Sequence, residues 1–133
     1  MAEYARIPVI NGLTDHSHPC QAMADYLTIL EHKGKLGGLK LAYVGDSNNV
    51  SNSLMFAAAR LGAHISIGSP EGYQPKADVA AWTRTEGART GSTLLITADP
   101  AEAVAGADVV YTDTWASMAT STPAVAVGST SAG

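Results

Sequence analysis

Cysteine occurs once in these 133 residues, at Cys20, so no disulfide can close within the chain and a disulfide-stapled framework is excluded. Positive charge is sparse. Lys and Arg number 8 against 12 Asp and Glu, a net charge of −4, and no basic run or stripe could neutralise phosphates along a nucleic acid. Nucleic acid is therefore not an expected partner. Long apolar runs are missing too: nothing approaches the roughly 18 residues of a membrane span, and the first residues lack a signal-peptide pattern. No membrane partner is expected, and a reduced, cytoplasmic setting follows as the default.

What is present is a chain 46% apolar and 15% charged, rich in Ala and Gly. Such a chain can form one domain that buries roughly two thirds of its extended surface. Short apolar runs alternate with Ala-rich segments. LKLAYVG (39 to 45), HISIG (64 to 68), TLLIT (93 to 97) and DVVYT (108 to 112) are bounded by Gly, Asp or Ser, as buried parallel strands would be. Helices are predicted between them over 48 to 61, 76 to 88 and 100 to 107. Gly62 serves as a stop signal for the first, and Asp99-Pro100 opens the last. Strand and helix in this alternation predict an α/β fold, a Rossmann-like parallel sheet with flanking helices. Ligands of such sheets bind beyond the carboxyl ends of the strands. Those ends carry Gly45-Asp46-Ser47-Asn48-Asn49, Ser69-Pro70, Ala98-Asp99 and Thr112-Asp113-Thr114.

The chain divides into three stretches. In residues 1 to 38, Pro8, Val9 and Ile10 resemble the end of a strand, NGLTD turns the chain, and a long linking helix over 19 to 33 leads through GKLGG into the next unit. Residues 39 to 118 form the α/β domain. Residues 119 to 133, ATSTPAVAVGSTSAG, are small and uncharged, and most are expected to be poorly ordered.

The linking helix opens unusually, as DHSHPCQ. Pro19 suits the first helical position, which makes His18 the cap and Gln21 the third residue. Both would sit beside free N–H groups and the positive end of the helix dipole, which disfavours imidazolium and leaves His18 a neutral donor suited to a carbonyl oxygen. The plainer reading is that Gln21 reaches back to the cap and His18 is surface polar. His16 and His18 lie two apart with no cluster around them, a poor metal signal, and Cys20 reads as a small packing residue. Asn48 or Asn49 could cap the second helix, and Asp113 could cap a turn. A dinucleotide module would need G-x-G-x-x-G after the first strand, whereas Gly45-Asp46-Ser47-Asn48-Asn49-Val50 has one of those glycines.

Three segments, in order and spacing, resemble those of ornithine carbamoyltransferase: His18-Pro19-Cys20-Gln21 followed by Ala24-Asp25-Tyr26-Leu27-Thr28, Gly45-Asp46-Ser47-Asn48-Asn49-Val50 with Ser53, and Asp113-Thr114-Trp115-Ala116-Ser117-Met118. Aspartate carbamoyltransferase shares a similar His-Pro-Thr-Gln segment, but Cys20, the Asn48-Asn49 pair and the Asp-x-x-x-Ser-Met run are those of the ornithine branch. The resemblance implies transfer of a carbamoyl group from carbamoyl phosphate to L-ornithine, giving citrulline and phosphate without a cofactor or metal, in a homo-oligomer. It implies that His18 contacts the carbamoyl oxygen and Gln21 the amide nitrogen. By the same token Asn49 binds ornithine, Asp113 and Ser117 hold its α-amino group, and Met118 contacts it through backbone. The family's Ser-Thr-Arg-Thr-Arg phosphate segment and its His-Cys-Leu-Pro segment have no counterpart here, and Ala119-Thr120-Ser121 stands where the family has Gly-Gln-Glu. The expectation is a truncated family member, impaired or inactive alone. The alternative is an inactive amino-acid-binding or self-assembling module.

Overall fold

The computed structural model describes residues 2–114. The expected disorder of 119 to 133, and the site residues Ser117 and Met118, lie outside them. After a short 3-10 turn at Ala2–Tyr4, the elements run α1 (Pro19–Lys33), β1 (Lys40–Val44), α2 (Asn49–Leu61), β2 (His64–Gly68), α3 (Ala77–Thr90), β3 (Leu94–Thr97), α4 (Pro100–Val104) and β4 (Val109–Thr112). The four strands form one parallel sheet in the order β3-β2-β1-β4. From β1 the chain steps outward through β2 to β3, then returns to the other side of β1 as β4. The order reverses between β1 and β4, and there the fold leaves a crevice at the strand ends.

Burial decides the layers. Leu41, Tyr43, Ile65 and Ile67 point to one face of the sheet and join Leu54, Met55 and Ala58 of α2, Val79 of α3 and Ala22, Tyr26 and Ile29 of α1 in a single core. The α1 residues follow the spacing of four and three that puts side chains on one helical face. On the opposite face α4 packs over the middle of the sheet with Ala103 wholly buried, while Val110 of β4 stays exposed. This contact requires Gly68, because a Cβ there would lie 2.8 Å from that of Ala103.

Helix ends follow local chemistry. Pro19 occupies the first turn of α1, and Gly34, left-handed at φ 74°, ends it with an N–H bond to the Leu30 carbonyl. α3 runs past its expected end at Ala88 to Thr90 and stops at left-handed Gly91. Gly87 stays inside that helix because Ser92 crosses it closely, its carbonyl oxygen 2.9 Å from where a Cβ would be. α4 is shorter than expected: Ala105, at φ −58° and ψ 120°, leaves the helix before 107. Pro8, Val9 and Ile10 form no strand, for no neighbouring strand offers them a ladder and Ile10 is 81% exposed. Among the described residues no helix is long and apolar enough to cross a membrane.

Candidate functional site

At the switch point Val44, Gly45, Thr112 and Asp113 line a depression of about 320 Å³. Strand register builds its floor, since Val44 pairs with Thr112 and sets the residues that follow β1 and β4 side by side. Asp113 is held from two directions. Its Oδ1 accepts the N–H of Thr114 at 2.7 Å, and its Oδ2 accepts Nδ2 of Asn48 at 3.2 Å. A carboxylate has about four acceptor positions, so capacity remains for a cationic ligand.

Asn48 is also the cap of α2. Its Oδ1 accepts the N–H groups of Val50 (2.9 Å) and Ser51 (3.2 Å), while the Ser51 hydroxyl receives the Asn48 N–H at 3.0 Å, a reciprocal capping box. One asparagine thus fixes the helix and the carboxylate together. The cap consumes two of the first-turn donors, which leaves fewer for an anion at this helix start. Asn49 occupies the first helical position, and its amide Nδ2 donates to the Thr14 carbonyl at 3.1 Å.

The start of α1 meets the same turn of α2. The His18 N–H donates to Oγ of Ser53 at 2.6 Å, and that hydroxyl donates to the Asn49 carbonyl at 2.9 Å; Ser53 is buried. Deeper in, the Tyr26 hydroxyl donates to the Leu54 carbonyl at 3.1 Å and locks α1 to α2. The His18 side chain makes no capping bond and is half-buried. Gln21 does not reach back to the cap; its Nε2 donates to Oδ1 of Asp25 at 3.0 Å. Asp25 in turn lies near Tyr111 of β4, whose phenol is pushed up to about 12 by burial, then by the Asp25 carboxylate, with Asp113 adding to it. Tyr43 stacks on Tyr111 with ring centroids 6.0 Å apart, and it too is raised, by burial first and then by Asp113 and Asp46. The α1 start therefore connects to the β4 end twice, through Ser53 and Asn48 and through Gln21, Asp25 and Tyr111.

Cys20 is exposed rather than packed, its thiol donating weakly to the Asn11 carbonyl at 3.4 Å. The expected packing role fails because position 20 faces outward, between the buried turn residues Ala22 and Tyr26 and solvent. The His16 ring lies tilted against Phe56. Among the described residues no group of three or more His, Cys, Asp or Glu could hold a metal ion. Reasoning from sequence did not single out Asn48's grip on Asp113 or the roles of Asp25 and Tyr111. The spacing of four from Asn49 to Ser53, which stacks them on one helical face, was a usable signal for the α1 contact.

A parallel α/β sheet with helices on both faces and polar residues gathered at one topological switch point is a fold of the doubly wound class. The chain belongs to the aspartate/ornithine carbamoyltransferase family: the Asp/Orn binding domain model matches residues 37–126, past Met118, and the carbamoyl-P binding domain model matches residues 1–31. Within the family, the ornithine carbamoyltransferase of Anoxybacillus flavithermus is 59% identical over 118 residues, 89% of this chain and 38% of its own length. That of Thermococcus kodakarensis is 55% identical over the same shares. The solved structure of the ornithine carbamoyltransferase from Pyrococcus furiosus superposes with a TM-score of 0.84 at 54% identity, covering 88% of this chain and 37% of that one. That of the Gloeobacter violaceus enzyme gives 0.82 at 54% identity, covering 86% and 40%. The chain thus spans about 38% of the length of the curated relatives it matches.

Proposed function

We propose that the chain carries the ornithine-binding part of an ornithine carbamoyltransferase, with the linking helix that presents the carbamoyl contacts to it. The observation that carries this is the junction at the first turn of α2, where Ser53 holds the His18 backbone and Asn48 holds Asp113. In this reading residues 1 to 38 belong to the carbamoyl-phosphate unit, 39 to 118 to the ornithine unit. Asp113, with Ser117, takes the α-ammonium of L-ornithine, Asn49 its carboxylate end, and Met118 a backbone contact. For Asn49 to reach a ligand its amide must leave Thr14 or bind through Oδ1 alone.

The chemistry then needs a neutral δ-amine, ordinarily of pKa about 10.4, to attack the carbonyl carbon of carbamoyl phosphate. The C–N bond forms, the carbonyl oxygen gains charge, and phosphate leaves as the C–O bond breaks, the amine proton being lost. His18 donates to that oxygen and Gln21 orients the carbamoyl amide. A donor of this kind is worth about 3 to 4 kcal/mol in a comparable oxyanion hole. Phosphate requires cations, and these 133 residues hold no Ser-Thr-Arg-Thr-Arg segment. The hold of Asn48 on Asp113 also suits a second reading, a catalytically inactive amino-acid-binding or self-assembling module. Met23, Leu27 and Leu30, exposed apolar residues on one side of α1, support assembly into a homo-oligomer, and the free thiol of Cys20 suits a reducing cytoplasm.

Calorimetry with L-ornithine tests the site. The chain should give a saturable heat, and Asp113→Asn should weaken binding about tenfold or more, as loss of a charge-assisted contact implies. Equal heats for the two proteins would remove Asp113 from any ornithine site. Citrulline formed from carbamoyl phosphate by the chain alone would overturn the second reading.

A further inference from the structure

A separate cleft lies between α2 and α3, sharing no residue with the switch-point depression. It has a volume of about 510 Å³ and is lined by His16, Phe56, Arg60, Asp78, Val79 and Trp82. That is within the range of roughly 300 to 1,000 Å³ typical of small-molecule sites. Its walls are aromatic: Phe56 meets Trp82 edge-on with centroids 5.0 Å apart, and the His16 ring is tilted against Phe56 at 5.9 Å.

Each helix supplies one ring and one charge four residues apart, and so on one face: Phe56 and Arg60 from α2, Asp78 and Trp82 from α3. The charges are opposite. The Arg60 guanidinium carbon sits 5.5 Å from the Trp82 ring centroid. A guanidinium over an indole ring is held by its charge, and its N–H donors that point away from the ring can still receive a carboxylate. Among the described residues the ion pair is Arg89 with Glu86; Arg60 and Asp78 line the same cleft without pairing, and Asp78 accepts no hydrogen bond from a described side chain.

A guanidinium and a carboxylate that share one cleft without pairing, beside an apolar aromatic wall, complement a zwitterion whose two charges sit on one carbon. We propose that this cleft binds a free α-amino acid with a large apolar side chain. The ligand's carboxylate meets Arg60, its ammonium meets Asp78, and its side chain lies against Phe56, Val79 and Trp82. A basic amino acid is disfavoured, because Arg60 already occupies the cation-attracting face of Trp82 and repels a second charge. The inference does not depend on the ornithine reading.

Trp82 is a built-in reporter. The chain has 2 Trp, so Trp115→Phe leaves it as the sole indole. L-phenylalanine should give a saturable change in its fluorescence with a millimolar dissociation constant. Phenethylamine and 3-phenylpropionate, each lacking one charge, should bind about tenfold more weakly, as should L-phenylalanine to Arg60→Gln or Asp78→Asn. Both positions are exposed, so the circular dichroism of these variants should match the parent, and L-ornithine heats should not change in Arg60→Gln. Absence of a saturable change with L-phenylalanine overturns the proposal. So does equal binding of the two singly charged analogues, which would show apolar adhesion alone, or of L-ornithine to the Trp82 reporter.

Discussion

At the scale of single residues, two short polar side chains join what sequence distance separates. Asn48 and Asp113 are 65 positions apart, and His18 and Ser53 are 35 apart. Ser53 is the more exacting case, for its one hydroxyl accepts from α1 and donates within α2 at a buried position. Ser53→Ala leaves the His18 N–H without its acceptor and should cost about 1 to 3 kcal/mol in urea unfolding. Ser53→Thr, which keeps the hydroxyl, should recover part of that. A loss in Ser53→Ala no larger than the scatter of repeat measurements would mean that the α1 junction is held by apolar packing alone. Which of two adjacent asparagines caps α2 was not legible in the sequence. Either can supply the oxygen, and the choice falls to the first residue with extended backbone, Asn48 at φ −133° and ψ −169°. Gln21's turn toward Asp25 was hidden for a related reason: positions 21 and 25 are neighbours on any helix, yet so are 18 and 21 in a capping box.

At the scale of elements, strands were readable because each short apolar run is fenced by Gly, Asp or Ser, and α1 because Pro19 and Gly34 mark both ends. β2 lies over 64 to 68 and α1 over 19 to 33, as expected. Strand order was not readable. Local periodicity says that a run is a strand but carries nothing about which neighbour it takes, and the return of β4 to β1 is a long-range pairing. The tight seat of α4 on β2 is the element contact most open to test. Gly68→Ala drives a methyl into Ala103 and should destabilise the fold by about 1 to 3 kcal/mol, with α4 displaced. Adding Ala103→Gly should restore part of the loss, since residues in contact do not behave additively. A double variant whose stability is the sum of the singles would show that the Gly68 effect arises elsewhere.

At the scale of the whole molecule, apolar surface is left outside as well as within. Met23, Leu27 and Leu30 repeat at spacings of four and three along the outer side of α1 and are 50%, 55% and 39% exposed. Ile7 and Ile10 stand nearby in sequence at 75% and 81%. A stripe of this kind favours association. Sedimentation should therefore show self-association that strengthens with concentration, and Leu27→Glu, at an exposed helical position, should shift the chain toward monomer. Sedimentation unchanged by Leu27→Glu would place any association elsewhere.

The return of β4 to β1 has a further meaning in time. Three strands can align as soon as β3 has been synthesised, yet the wall bearing Asp113 arrives only when the chain closes back across more than sixty residues onto β1, and such distant closures are slow. A chain made only as far as β3 can thus own a sheet and a buried interior before the depression beside Asp113 exists.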